Sequence, residues 1–97
     1  MVLYYHGDFS KLKDFGYQLD DKKKAYYKEV IIGHRGNKTH INTIYILSEP
    51  FENRLPGEII NIALNSMFVE MTLTNVDIAD LIQANLVSQT PRTQNDC

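Results

Sequence analysis

The strongest constraint on the fold is a pair of strand-forming runs around a turn. AYYKEVII, rich in aromatic and β-branched residues, leads into the loop GHRGNKTH, and THINTIYILS follows. Gly36 and Asn37 at the centre both tolerate positive φ, so the stretch predicts a β-hairpin. With Gly36-Asn37 as the turn, Arg35 lies opposite Lys38, His34 opposite Thr39 and Gly33 opposite His40. Side chains alternate between faces, which sends His34 and His40 to opposite sides. They cannot then share a metal ion, unless a bulge or an odd-length loop shifts the register. The loop reads as a solvated hairpin tip.

Before the hairpin, GDFSKLKDFG predicts a short helix. Asp8 or Ser10 caps its start, Phe9, Leu12 and Phe15 fall at helical spacing, and Gly16 ends it. LDDKKK is a polar turn, and EPFENRLPG, punctuated by Pro50, Pro56 and Gly57, is a longer connection. EIINIALNSMFVEMTL suits a helix or a hairpin, and the alternation favours the hairpin. Asn65-Ser66 would turn it, pairing Leu64 with Met67, Ile62 with Val69 and Ile60 with Met71. TNVDIADLIQANLV is the clearest helix, with Thr74 and Asp77 as a capping-box-like start and Ile78, Leu81, Ile82 and Leu86 as its apolar stripe. The polar SQTPRTQNDC after Val87 reads as a fraying tail.

These elements predict an α+β fold: an antiparallel four-stranded meander with a short N-terminal helix and a C-terminal helix on one face. A chain of 97 residues makes one domain, placed at residues 1–88, with a flexible polar tail at 89–97. Hydrophobic content of 43% and charged content of 23% suit a folded soluble protein. No apolar run is long enough to span a membrane, and the N-terminus does not read as a signal peptide. The single cysteine, Cys97, has no partner for a disulfide, so a cytoplasmic setting is expected.

Little in the chain points to catalysis. Cys97 has nothing beside it in sequence to lower its pKa, and Ser10, Ser48, Ser66 and Ser88 carry no nucleophile signature. Gly33 and Gly36 do not make a phosphate loop, and Asp20-Asp21 and Glu49/Glu52 read as turn and loop carboxylates. No enzyme, cofactor or metal site is expected.

Nucleic acid is the rival to a protein partner. Lys22, Lys23 and Lys24 form one basic run, and Arg35 lies in a second with His34 and Lys38. The two sit at opposite ends of the first strand, about ten residues or roughly 33 Å apart, which makes two small patches rather than one track. The first 48 residues carry +3 and the remainder −5, for a net charge of −2 and a pI near 5.8. An acidic chain is poorly suited to phosphate neutralisation.

The first hairpin is apolar on both faces. Without a bulge, one face holds Tyr26, Val30 and Ile32 with Ile41, Tyr45 and Leu47, and the other Tyr27 and Ile31 with Ile44 and Ile46. Two helices cover only one face of such a sheet. An apolar, tyrosine-bearing face is left for a partner, or else the loop from Ser48 to Gly57, with Phe51 and Leu55, folds back over it. The residues expected to make the contact are Tyr27, Glu29, Ile44 and Ile46. The expected function is a small protein-interaction module. The alternatives are a weak nucleic-acid binder using Lys22, Lys23, Lys24 and Arg35, and a homo-oligomer that pairs an open face or sheet edge with its own copy.

FSKLKDFGYQL, followed by a tyrosine-rich strand, and DIADLIQANLVSQ near the end resemble small uncharacterised proteins of phages and prophages of low-GC Gram-positive bacteria. The resemblance covers about a third of the chain and lies in structural residues: Leu12, Phe15, Gly16, Leu81, Ile82 and Leu86. It implies an α+β fold and a phage or mobile-element setting; the interaction module is accordingly expected to be a phage-derived factor that modulates a host protein. It carries no activity and no functional residue.

Overall fold

The computed structural model describes residues 2–63, 67–69 and 76–92, with the backbone alone described at 32–35, 38–40, 63, 67–69 and 76. Its elements are β1 (Leu3–Tyr5), a 3-10 helix (Phe9–Phe15), β2 (Gln18–Asp20), β3 (Ala25–Arg35), β4 (Lys38–Leu47), β5 (Glu58–Ala63), β6 (Met67–Val69), a 3-10 turn (Val76–Ile78) running into α1 (Ala79–Gln83), and β7 (Val87–Ser88). The protein is α+β, with its described strand pairs antiparallel.

The sheet is larger than a four-stranded meander. Its order is β2-β3-β4-β5-β1-β7, and β6 also pairs with β5. β1 and β6 share one edge of β5, with Leu3 opposite Ile59 at one end and Met67 opposite Ala63 at the other. β1, β2 and β7 go beyond the expected strands. Two or three residues are too few to display an alternation. β1 is also buried on both faces, with Leu3 and Tyr5 at 0% exposure and Tyr4 at 9%, so no polar residue marks an outer side.

The chain from 58 to 69 makes the hairpin rather than the helix, but in another register. Ile62 faces Phe68, and Ala63 faces Met67, one residue away from the Ile62–Val69 pairing expected. The proposed turn residues and the Leu64 and Met71 pairings lie outside the described residues.

The first hairpin has its expected tip, with Arg35 opposite Lys38, His34 opposite Thr39, and Gly36 at φ 62° in the turn. A bulge then intervenes between Ile31 and Gly33. Beyond it Ile31 faces Ile41, Lys28 faces Ile44, Tyr27 faces Tyr45 and Tyr26 faces Ile46. One inserted residue exchanges the two faces of β3 relative to β4. Tyr26, Lys28 and Val30 therefore share a side with Ile44 and Ile46, whereas Tyr27, Glu29 and Ile31 share the other with Ile41 and Tyr45.

The core lies on the first of these sides. Leu3, Tyr5, Tyr26, Ile44, Ile46 and Ile59 from the sheet meet Leu12 of the 3-10 helix, Ile78 and Leu81 of the C-terminal helical segment, and Tyr17. Each fully buried aliphatic side chain here contributes about 1.5–3 kcal/mol of transfer free energy. Phe9, Leu12 and Phe15 recur every third residue, the period of a 3-10 helix, and so form one row. Asp8 caps this helix, its Oδ1 accepting from the Ser10 amide at 2.9 Å, and Gly16 ends it at φ 91°.

The C-terminal helix is shorter than its apolar stripe. Asn85 takes φ 59° at its end, the Asn85 amide donates to the Ile82 carbonyl, and the Leu86 amide donates to the Leu81 carbonyl. This is a Schellman closure with asparagine in the glycine position. It releases Leu86 and Val87 from the helix, and Val87 and Ser88 pair with β1. Thr74, the expected cap, lies outside the described residues.

Residues 89–92, assigned to the tail by composition, continue from β7 back across the N-terminus. The Arg92 guanidinium donates to the carbonyls of Tyr5 and Gly7, both at 2.8 Å, and lies 4.4 Å from the Phe9 ring centroid. No helix among the described residues is long and apolar enough to cross a membrane.

Candidate functional site

The side of the sheet away from the helices carries a groove of about 370 Å³. Ala25, Tyr45, Leu47, Ile60 and Ile62 form its floor. They share this side because Ala25 faces Leu47, Tyr45 faces Ile60 and Thr43 faces Ile62 across the strands. The cleanest apolar alternation in β5, Ile60 and Ile62, thus points away from the core. Ile59 and Asn61 take the core side instead, and Asn61 is 2% exposed with no hydrogen-bond partner for Oδ1 among the described residues. A buried amide oxygen left unpaired costs about 1–3 kcal/mol.

Two turns wall the groove. Lys22, Lys23 and Lys24 come from the turn between β2 and β3, and Pro50, Phe51 and Arg54 from the connection between β4 and β5. Both turns are tied down. Asp20 Oδ1 accepts from the amides of Lys22 and Lys23 at 3.0 and 3.2 Å, and the Lys24 carbonyl accepts from the amide and hydroxyl of Ser48 at 3.0 and 2.8 Å. Phe51 and Arg54 exchange both backbone hydrogen bonds, with Glu52 at φ 53° between them. Arg54 is paired with the buried carboxylate of Glu58. Phe51 stays 54% exposed, a large aromatic ring at the mouth whose backbone is held by the bonds to Arg54.

Lys23 crosses the mouth. Its Nζ donates to the Tyr45 hydroxyl at 3.2 Å and lies 5.0 Å from the centroid of that ring. The hydrogen bond to Tyr45 raises the Lys23 pKa above its ordinary value, so the cation is held more firmly.

The residues expected to make the contact divide between the two faces. Ile44 and Ile46 are fully buried core residues, a correction that follows from the bulge. Tyr27 and Glu29 lie on the outer side, next to the groove. Tyr27 sits 6.3 Å from the Tyr45 ring, its hydroxyl donates to Gln18 Oε1 at 3.0 Å, and with Glu29 it borders a polar hollow. Of the basic residues, Lys22, Lys23 and Lys24 line the groove, while Arg35 is at the far end of β3. The loop from Ser48 to Gly57 neither covers the outer face nor stands clear of it. It builds one wall. Tyr45, Phe51, Arg54, Ile60 and Ile62 were not singled out as site residues from the sequence. Only Phe51, an aromatic residue among prolines and glutamates, gave a local hint.

A second cluster joins the chain ends. His6 Nε2 donates to the Thr90 carbonyl at 2.6 Å and lies 2.8 Å from Ser88 Oγ. A carbonyl can only accept, so Nε2 carries its proton there and has no lone pair to take one from Ser88. Among the described residues no group of three His, Cys, Asp or Glu side chains could hold a metal ion.

Fold and site together define a small α+β domain whose sheet packs one face against the helical segments and carries a groove on the other. No protein-family model matches this chain, and neither a curated protein nor a solved structure matches it significantly.

Proposed function

We propose that this protein is a small, non-catalytic interaction module whose contact surface is the outer face of the sheet around the Lys22–Lys24 and Phe51 turns. One observation carries the reading. The sheet keeps an apolar floor on the side the helices do not cover, between walls that are already hydrogen-bonded in place. Prefixed walls reduce the ordering cost of binding, and an exposed aromatic residue beside an apolar floor is the usual make-up of an interface anchor. The partner in this reading is a host protein that a phage-derived factor would modulate.

The test is affinity capture from cells that express the protein, after nuclease treatment. A stoichiometric partner is expected with the wild type and is lost in Phe51→Ala and Tyr45→Ala, while thermal melting of both variants stays near wild type. Capture that disappears with nuclease and with Lys22→Ala/Lys23→Ala/Lys24→Ala would transfer the function to nucleic-acid binding.

A second reading has its own observation. Among the described residues β3 pairs with β2 over Ala25–Tyr27 and β4 with β5 over Thr43–Ile46, and β3 and β4 continue past both as a paired arm. On it Ile31 and Ile41 face each other at 62% and 36% exposure. An exposed apolar pair on a two-stranded arm favours contact with a second copy. Light scattering distinguishes this reading: a mass that rises with concentration and falls back in Ile31→Asp supports self-association.

A further inference from the structure

We infer that the occupant of the groove is an acidic peptide segment of a partner protein, one that places an aromatic or aliphatic side chain on the floor and carboxylates against Lys22, Lys23 and Lys24, an inference that rests on the outer-face reading above. Charge complementarity identifies the occupant. Among the described residues, four cationic side chains and no carboxylate line the groove, although the chain as a whole is acidic. Arg54 is engaged by Glu58, which leaves the exposed Lys22–Lys24 turn, with Lys23 steadied over Tyr45, as the main source of positive charge. Asp20 accepts from two amides of this turn and shapes it, while Asp21 beside Lys22 and Glu49 beside Pro50 are exposed acids outside the lining.

The dimensions favour a chain over a free small molecule. A small ligand holds when most of its surface is buried. This groove is partly open to solvent, so a small carboxylate would keep some of its apolar body in water. A peptide lays one side chain on the floor and continues along the face past Tyr45 and Tyr27. A nucleic-acid strand fits less well, because its regularly spaced charges need a continuous basic track. The lysine turn is one local cluster, and Arg35 stands at the other end of an 11-residue strand.

The ligand chemistry is tested by fluorescence anisotropy on the full chain, using a short fluorescein-labelled peptide in which Glu alternates with Phe and Leu. Three controls accompany it: the same peptide with Gln for Glu, the same with Lys for Glu, and single-stranded oligothymidylate. The acidic peptide is expected to bind about tenfold more tightly than the Gln peptide, with the difference shrinking in high salt, and the Lys peptide is expected not to bind. Phe51→Ala and Lys22→Gln/Lys23→Gln/Lys24→Gln, all exposed positions, should each weaken it about tenfold while leaving the melting temperature unchanged. Equal binding of the Glu and Gln peptides would overturn the charge assignment. Oligothymidylate displacing the acidic peptide would overturn it in favour of nucleic acid. Failure of every peptide, while Phe51→Ala still abolishes capture of the cellular partner, would overturn the acidic class and leave the outer-face reading standing. Failure of both would overturn the two together.

Discussion

Lys28 lies directly opposite Ile44 across the first hairpin, although a hairpin paired from its tip without interruption would set Glu29 against Ile44. The bulge between Ile31 and Gly33 accounts for the difference of one residue. It decides which side of β3 joins the core and which joins the groove.

That relationship is tested by charge placed on the two sides of β4. Ile44→Asp puts a carboxylate among fully buried apolar groups and should cost more than about 4 kcal/mol, enough to unfold most of a domain this small. Ile41→Asp lies on the outer side and should melt within a few degrees of wild type. Circular dichroism melts read both. A folded Ile44→Asp variant would refute the face assignment.

Arg92 should matter to stability although it lies beyond the last strand. Arg92→Ala removes two charge-assisted hydrogen bonds to Tyr5 and Gly7 and the contact with Phe9, and should destabilise the protein by about 2 kcal/mol. Removing the chain after Ser88 should do the same. Hydrogen exchange at the Tyr5 and His6 amides, which donate to Gly57 and Leu86, should accelerate in both variants. Unchanged exchange would mean that β1 is held without the Arg92 clamp.

Alkaline pH acts through two tyrosines. Burial raises the Tyr17 pKa, with Asp80 and Asp77 adding to the effect. Burial also raises Tyr5, with Arg92 opposing it in part. For an acid whose folded pKa is raised, stability is intact below the unfolded value, about 10, and falls as pH rises above it. Denaturation midpoints should therefore hold up to about pH 10 and drop beyond it. In an ultraviolet titration, Tyr17→Phe and Tyr5→Phe should each remove amplitude from the late, high-pH part of the curve. Loss of early amplitude instead would contradict the burial of these hydroxyls.

Much of the local structure was legible from residue type. Asp8, the Phe9–Leu12–Phe15 spacing and Gly16 mark the first helix, and Gly36-Asn37 marks the hairpin tip. Two local features explain most of what was not. The bulge in β3 has no proline or polar residue to announce it. It falls among Ile31, Ile32 and Gly33, and a glycine there reads equally well as the start of the loop, yet the extra residue inverts one strand's contribution to each face. Asn85 ends a helix whose apolar stripe continues through Leu86, because asparagine tolerates the left-handed conformation and a stripe alone does not show where a helix stops. The groove was hidden for a related reason. Its floor comes from β3, β4 and β5, its walls from two turns, and only the inter-strand register brings them together. The Ile60/Ile62 alternation identified an apolar stripe but not the face on which it lies, and Asn61 on the core side runs against the ordinary pattern.

The most direct measurement is site-specific photo-crosslinking in cells, with a benzophenone amino acid placed at Phe51 beside the groove or at Lys13 on the exposed surface of the N-terminal helix. With the outer face as the contact surface, one dominant crosslinked partner is expected from position 51, diminished by Tyr45→Ala, and none from position 13. Capture from position 13 with nothing from position 51 would contradict that assignment.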